Sequence, residues 1–106
     1  MALPELTDEQ RRQALAKAAE ARQVRAEVKN RLRHSGATVA QVLAEAERNE
    51  AIAKIKVLDL LQSIPGIGKL TAQKMMDDLK IAQSRRLRGL GANQAKGLIA
   101  EIARRG

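Results

Sequence analysis

Phenylalanine, tyrosine and tryptophan are all absent from these 106 residues, and so is cysteine. Without an aromatic ring the chain has nothing on which to stack an unpaired base, which argues against recognition of single strands. The absence of cysteine excludes disulfides and thiolate metal sites and leaves the redox compartment open. Histidine occurs once, at His34, with no sequence partner that would make it a base. No apolar run approaches the ~20 residues of a membrane-spanning helix. The N-terminus carries Glu5, Asp8 and Glu9 and no hydrophobic segment, so no secretory signal is expected and the cytoplasm is the expected location.

What remains is a helical alphabet with an excess of positive charge. Apolar residues make up 44% of the chain, and Ala, Leu, Ile and Val must build the core, with three methionines to fill gaps. Ala and Leu are strong helix formers, so an all-α fold is expected, and the length suits one small core. The formal net charge is +8. Residues 54–106 hold 11 basic and 4 acidic side chains, whereas residues 34–53 hold 1 and 3. A basic excess gathered at one end points to a polyanionic partner.

Thr7-Asp8-Glu9-Gln10 has the form of a capping box, and no Gly or Pro follows until Gly36. A long helix is predicted from about residue 8 to 33. Ala21, Val24, Val28 and Leu32 fall on one face of it. Arg11, Arg22, Lys29 and Arg33 fall on another, with Arg25 beside them. The apolar face occupies only the second half, so the first half is expected to project. Thr38 and Gln41 repeat the capping pattern, and a helix over about 39–48 should bury Val39, Val42, Leu43 and Ala46. Asn49 to Lys56 reads as a connector that docks Ile52 and Ile55 and turns Lys54 and Lys56 outward. Further helices are predicted over about 57–63, 69–79 and 92–103, with Leu70 and Ile99 among their inward residues. Ser84 is expected to cap a short helical turn over 85–90. No strand pattern is present.

One stretch, "SIPGIGKLTAQKM" (Ser63 to Met75), crowds a proline and two glycines into four positions between apolar segments. Pro65 fixes φ and lacks an N–H, so the preceding helix must stop. Gly66 and Gly68 permit positive φ and remove side chains that would block a close approach. Ile67 between them should point into the core. The backbone amides of Gly66 to Lys69 are then expected to open outward at a helix start, where free N–H groups and the helix dipole make an anion site. Lys69 adds a full charge and Thr71 a hydroxyl donor. "SRRLRGLG" (Ser84 to Gly91) places Arg85, Arg86 and Arg88 around Leu87. These arginines can fork onto phosphate or enter a narrow minor groove.

"IPGIGKLTA", with Leu60 and Leu61 before it and Met75 after it, resembles the helix–hairpin–helix motif of sequence-nonspecific DNA-binding proteins. Together with the arginine run it resembles the helix–two-turn–helix arrangement of a small-subunit ribosomal protein and of formamidopyrimidine-type DNA glycosylases. Over its full length, through "MALPELTDEQ", "RAEVKNRL", "KIKVLDLLQSIPGIGK" and "RRLRGLG", the chain resembles actinobacterial integration host factor. The resemblance implies a nucleoid-associated protein that binds, bends or bridges, and compacts double-stranded DNA with little sequence preference, and that serves DNA recombination. It implies DNA contact by Gly66, Ile67, Gly68, Lys69 and Thr71 and by Arg85, Arg86 and Arg88. It makes the basic face of the first helix (Arg22, Arg25, Lys29, Arg33), together with Lys54 and Lys56, a candidate second contact.

Residues 1–37 are expected to form the long basic N-terminal helix and residues 38–106 the DNA-binding domain of a monomer. A double-stranded RNA or ribosome-binding protein is the alternative reading, because charge does not separate the two duplexes. No catalytic residue, cofactor, metal or small-molecule substrate is expected. The adjacent carboxylates Asp77 and Asp78 diverge on a helix, and 106 residues leave no room for the further catalytic domain of a glycosylase. The apolar side of the first helix is mostly Ala and Val, too weak for membrane insertion.

Overall fold

The computed structural model describes residues 7–105; Glu5 and the rest of "MALPEL", together with Gly106, lie outside the described residues. The elements in chain order are α1 (Asp8–His34), α2 (Val39–Ala46), α3 (Glu50–Ala53), α4 (Val57–Gln62), α5 (Lys69–Asp78), a single 3-10 turn (Leu87–Gly89) and α6 (Ala92–Arg105). Both predicted capping boxes form. The Gln10 amide donates to Thr7 Oγ1 at 3.1 Å and the Thr7 amide to Gln10 Oε1 at 2.9 Å. Thr38 and Gln41 make the same exchange at 3.2 and 2.9 Å.

α1 is about 40 Å long at 1.5 Å per residue. Every residue from Asp8 to Glu20 is exposed, and the helix enters the core only with Val28 and Leu32. Val39 and Val42 of α2, Leu60 and Leu61 of α4, Met75 and Met76 of α5, and Leu98 of α6 meet those two residues in one cluster. The Arg31 guanidinium ties α1 to α2: Nη1 donates to Glu45 Oε1 at 2.8 Å and Nη2 to Oε2. This bond raises the Arg31 pKa and lowers that of the Glu45 carboxyl.

Several local expectations are corrected. The connector over 49–56 contains a helical turn of its own, α3, because Asn49 Oδ1 accepts from the amides of Ala51 and Ile52 at 2.9 and 3.3 Å. α2 ends two residues early to make room for it. Leu70 is not inward but 82% exposed, and Ile99 lies at the surface. Leu70 sits in the first turn of α5, which stands clear of the core, whereas Ala72, Met75 and Met76 fall on the buried side. Ser84 caps nothing. The turn it was expected to start shrinks to Leu87–Gly89, because the backbone at Arg86 is extended and the Arg85 carbonyl and Leu87 amide are bonded to the 55–57 segment.

The end of α5 was not anticipated. Lys80 adopts φ 58°, a left-handed conformation unusual for a non-glycine residue. The Lys80 amide donates to the Asp77 carbonyl at 3.1 Å and the Ile81 amide to the Met76 carbonyl at 2.8 Å, the two bonds of a Schellman cap. Ile81 is thereby driven into the core. Gln94 of α6 locks the same end by donating to the Lys80 carbonyl at 3.0 Å. Nearby, Gly97 leaves room for Leu79: a Cβ at that position would lie 2.6 Å from Leu79 Cδ2.

Candidate nucleic-acid interface

The hairpin between α4 and α5 is pinned from below. Ser63 is buried and its hydroxyl donates to the Asp59 carbonyl at 2.9 Å. Ile67 is buried too, as expected, while Pro65, Gly66, Gly68 and Lys69 around it are exposed. Its amide is not open outward: it donates to the Ile64 carbonyl at 3.1 Å and closes the turn. The amides of Gly66, Gly68, Lys69 and Leu70 find no acceptor among the described residues.

The two glycines differ. Gly66 has φ 86°, the left-handed region, whereas Gly68 has φ −88° and ψ −180°, extended backbone open to any residue, so the expected positive φ holds only at Gly66. A Cβ at either position would meet nothing within 4 Å. What Gly68 protects is therefore empty space above a helix start that has no side-chain cap. Arg33 of α1 lines the same cleft, and Thr71 lies half-buried in the first turn of α5.

A second basic site forms where three segments meet. The Val57 amide donates to the Arg85 carbonyl and the Leu87 amide to the Ile55 carbonyl, both at 2.9 Å. These bonds flank an antiparallel bridge between Lys56 and Arg86. The two residues are thus a non-hydrogen-bonded pair, the arrangement in which facing side chains lie closest, and like charges placed so are unfavourable. The Arg86 guanidinium donates to the Lys54 carbonyl at 2.6 Å. Arg25 and Lys29 of α1, both half-buried, close the site with Lys54 and Asp59 around a cleft of about 370 Å³. Lys54 has an ion-pair partner, Glu50 at 3.3 Å; Arg25, Lys29, Lys56 and Arg86 have none among the described residues.

The arginine run is divided by this arrangement. Arg86 joins the basic cleft. Arg85 turns back on its own loop and donates to the Gly89 carbonyl at 2.7 Å. Arg88 lines a different cleft, with Leu43, Ala46 and Leu90. On α1 the cations at 25, 29 and 33 step by four residues, about 6 Å each, and so run from the basic cleft to the hairpin. Arg22 is exposed one turn before Arg25. Sequence reasoning placed Lys56 with α1 and Arg86 with the arginine run, and did not pair them. The usable signal was the alternation of "KIKV", which marks a short extended segment beside the helix that follows it.

Among the described residues no group of three or more His, Asp or Glu could hold a metal ion, and no helix is long and apolar enough to cross a membrane. Residues 32–102 match the family model described as "S13-like H2TH domain". The chain is 54% identical to the integration host factor of Streptomyces coelicolor over 106 residues, covering 100% of this chain and 99% of that protein. It is also 54% identical to the integration host factor of Mycobacterium tuberculosis over 102 residues, covering 96% and 97%. A solved structure, of sIHF bound to an 8bp palindromic DNA, is similar with a TM-score of 0.78 and 52% identity, over 81% of this chain and 97% of that one.

Proposed function

Because the chain belongs to the actinobacterial-type integration host factor family, we propose that it is a sequence-nonspecific, double-stranded DNA-binding architectural protein, acting in the cytoplasm on the nucleoid. The observation that carries this reading is the hairpin: four unpartnered amides at an uncapped helix start, with Lys69 and Arg33 beside them and open space above Gly68. A backbone phosphate satisfies those amides, and the helix dipole favours its charge. Thr71 adds a hydroxyl donor in the same turn. Contacts of this kind position a protein on a duplex without reading bases, which gives low sequence preference.

The basic cleft is the second contact. Lys56 and Arg86 face the DNA there, with Arg25, Lys29 and Lys54 behind them and Arg22 extending the track along α1. Arg85 and Arg88, turned away from Arg86, add charge near the duplex without being among the direct contacts. Residues 38–106 thus carry the primary grip, and the helix within residues 1–37 supplies the surface that lets one molecule bend a duplex or bridge two. The protein acts as a monomer.

An electrophoretic titration of a short duplex at 50 and 200 mM salt tests this. Four direct contacts, by Arg33, Lys56, Lys69 and Arg86, predict a slope near −3.6 in log K against log salt, roughly a 150-fold loss between the two conditions. An affinity indifferent to salt overturns the reading. Tighter binding to an RNA duplex of the same sequence would replace DNA by RNA as the ligand.

A further inference from the structure

The basic cleft gathers positive charge from three segments into one small recess. Five cations (Arg25, Lys29, Lys54, Lys56 and Arg86) and one carboxylate (Asp59) line it. With Lys54 discounted for its partner Glu50, the surplus is three. The cleft is concave, and α1 walls one side of it. Each diester of a DNA backbone carries one negative charge, and successive diesters are spread along the strand rather than gathered into one recess. Terminal phosphate groups are different: each carries about −1.5 to −2 at neutral pH. A chain of three phosphates therefore brings about four negative charges in a compact body, enough to neutralise the surplus of three.

We infer that this cleft is a binding site for a compact oligophosphate, a linear chain of about three phosphates that is either inorganic or the tail of a nucleotide, and that such a ligand competes with DNA at this contact but not at the hairpin. The inference rests on the reading of the cleft as a phosphate-binding surface. The pairing of Lys56 and Arg86 is made by backbone bonds, so it persists whatever the side chains bind. The site is thus preformed and loses little entropy on binding. The half-buried Arg25 and Lys29 are shielded from solvent on one side, which strengthens their attraction for an anion relative to the fully exposed cations of α1. The ligand would also join α1 to the body at the seam where the backbone bridge lies, so binding raises thermal stability. Its consequence is a division of the DNA-binding surface: the second contact is blocked while Arg33 and Lys69 keep the hairpin grip, so compaction of long DNA falls more steeply than affinity for a short duplex.

The test uses the full chain and inorganic tripolyphosphate, with sodium sulfate at equal ionic strength as the reference and a nucleoside triphosphate as a second arm. Tripolyphosphate should raise Tm by about 4 °C or more over sulfate, since about 1 kcal/mol moves a domain of this size by that amount. Arg86→Gln and Lys56→Gln should each weaken tripolyphosphate binding about tenfold, the value of one charge-assisted hydrogen bond. Lys69→Ala in the hairpin and the double change Arg11→Ala and Arg12→Ala on projecting α1 should leave it unchanged. Arg25→Gln serves as a second cleft variant, outside the backbone bridge, should either bridge variant lose helicity. Equal responses to tripolyphosphate and sulfate, or equal losses in the cleft and α1 variants, overturn the inference. Wild-type DNA binding in the same preparation keeps the functional reading in place under that outcome. A nucleoside triphosphate that binds as tightly as tripolyphosphate assigns the site to a nucleotide tail, and one that binds more weakly assigns it to inorganic chains.

Discussion

Gly68→Ala separates a phosphate grip from a merely tight turn. In a tight turn the glycine would be needed for its backbone, and the substitution would damage the free protein. Gly68 has φ −88°, however, which alanine adopts without strain, and its added Cβ meets nothing within 4 Å. The cost to the free protein is that of alanine rather than glycine at an N-cap, about 1 kcal/mol at most. This corresponds to a fall in Tm of no more than about 8 °C. The methyl group instead occupies the space through which a phosphate reaches the amides of Gly68, Lys69 and Leu70. Losing one of those charge-assisted bonds costs about 1.5–3 kcal/mol, roughly a 10- to 150-fold loss of affinity. Gly66→Ala is the comparator. Its φ of 86° makes alanine pay about 1–2 kcal/mol in the folded state, so it should melt earlier for a purely conformational reason. Circular-dichroism melting and fluorescence anisotropy with a labelled duplex, on the same two variants, give both quantities. Gly68→Ala that binds DNA as the parent does would refute the grip, whatever its Tm.

Two other predictions concern stability. Lys80→Gly should raise Tm by a few degrees, because relief of about 1–2 kcal/mol of left-handed strain exceeds the added entropy of the unfolded chain; an unchanged or lower Tm would mean that the lysine is not strained there. The Glu45 carboxyl, held below its ordinary pKa by the Arg31 guanidinium, contributes stability that is present above the unfolded carboxylate value near 4.3 and is lost as pH falls through its lower folded value. Both side chains are more than a third exposed, so the contribution is small. Melting at pH 7, 5 and 3 should show Glu45→Gln slightly less stable than the parent at pH 7 and 5, with the gap closing at pH 3.

Much of this molecule is local in origin, and those parts were legible in its residues. The two Thr/Gln capping boxes act over three residues and form as written. Pro65 stops α4, and Ile67 anchors the turn that Gly66 makes. Where a short-range cue competed with packing, packing decided. Leu70 went to solvent because the start of α5 stands clear of the core, whereas α3 arose from a local cue, the Asn49 cap, inside an expected connector. The left-handed Lys80 carried no cue, since the glycine that usually marks such a cap is absent. It is held by Ile81 below it and Gln94 above it.

The sequence by itself determined an all-helical chain, its two capping boxes and a hairpin turn anchored by Ile67, because each depends on bonds between near neighbours. Tertiary structure alone decided which cations act together. Lys56 and Arg86 are thirty residues apart and meet only because Ile55, Val57 and Leu87 are buried beside them and the backbone must pair where it passes. The same burial turned Arg85 and Arg88 away from Arg86. Charge excess is a property of composition, but a charged site is made by the core beneath it.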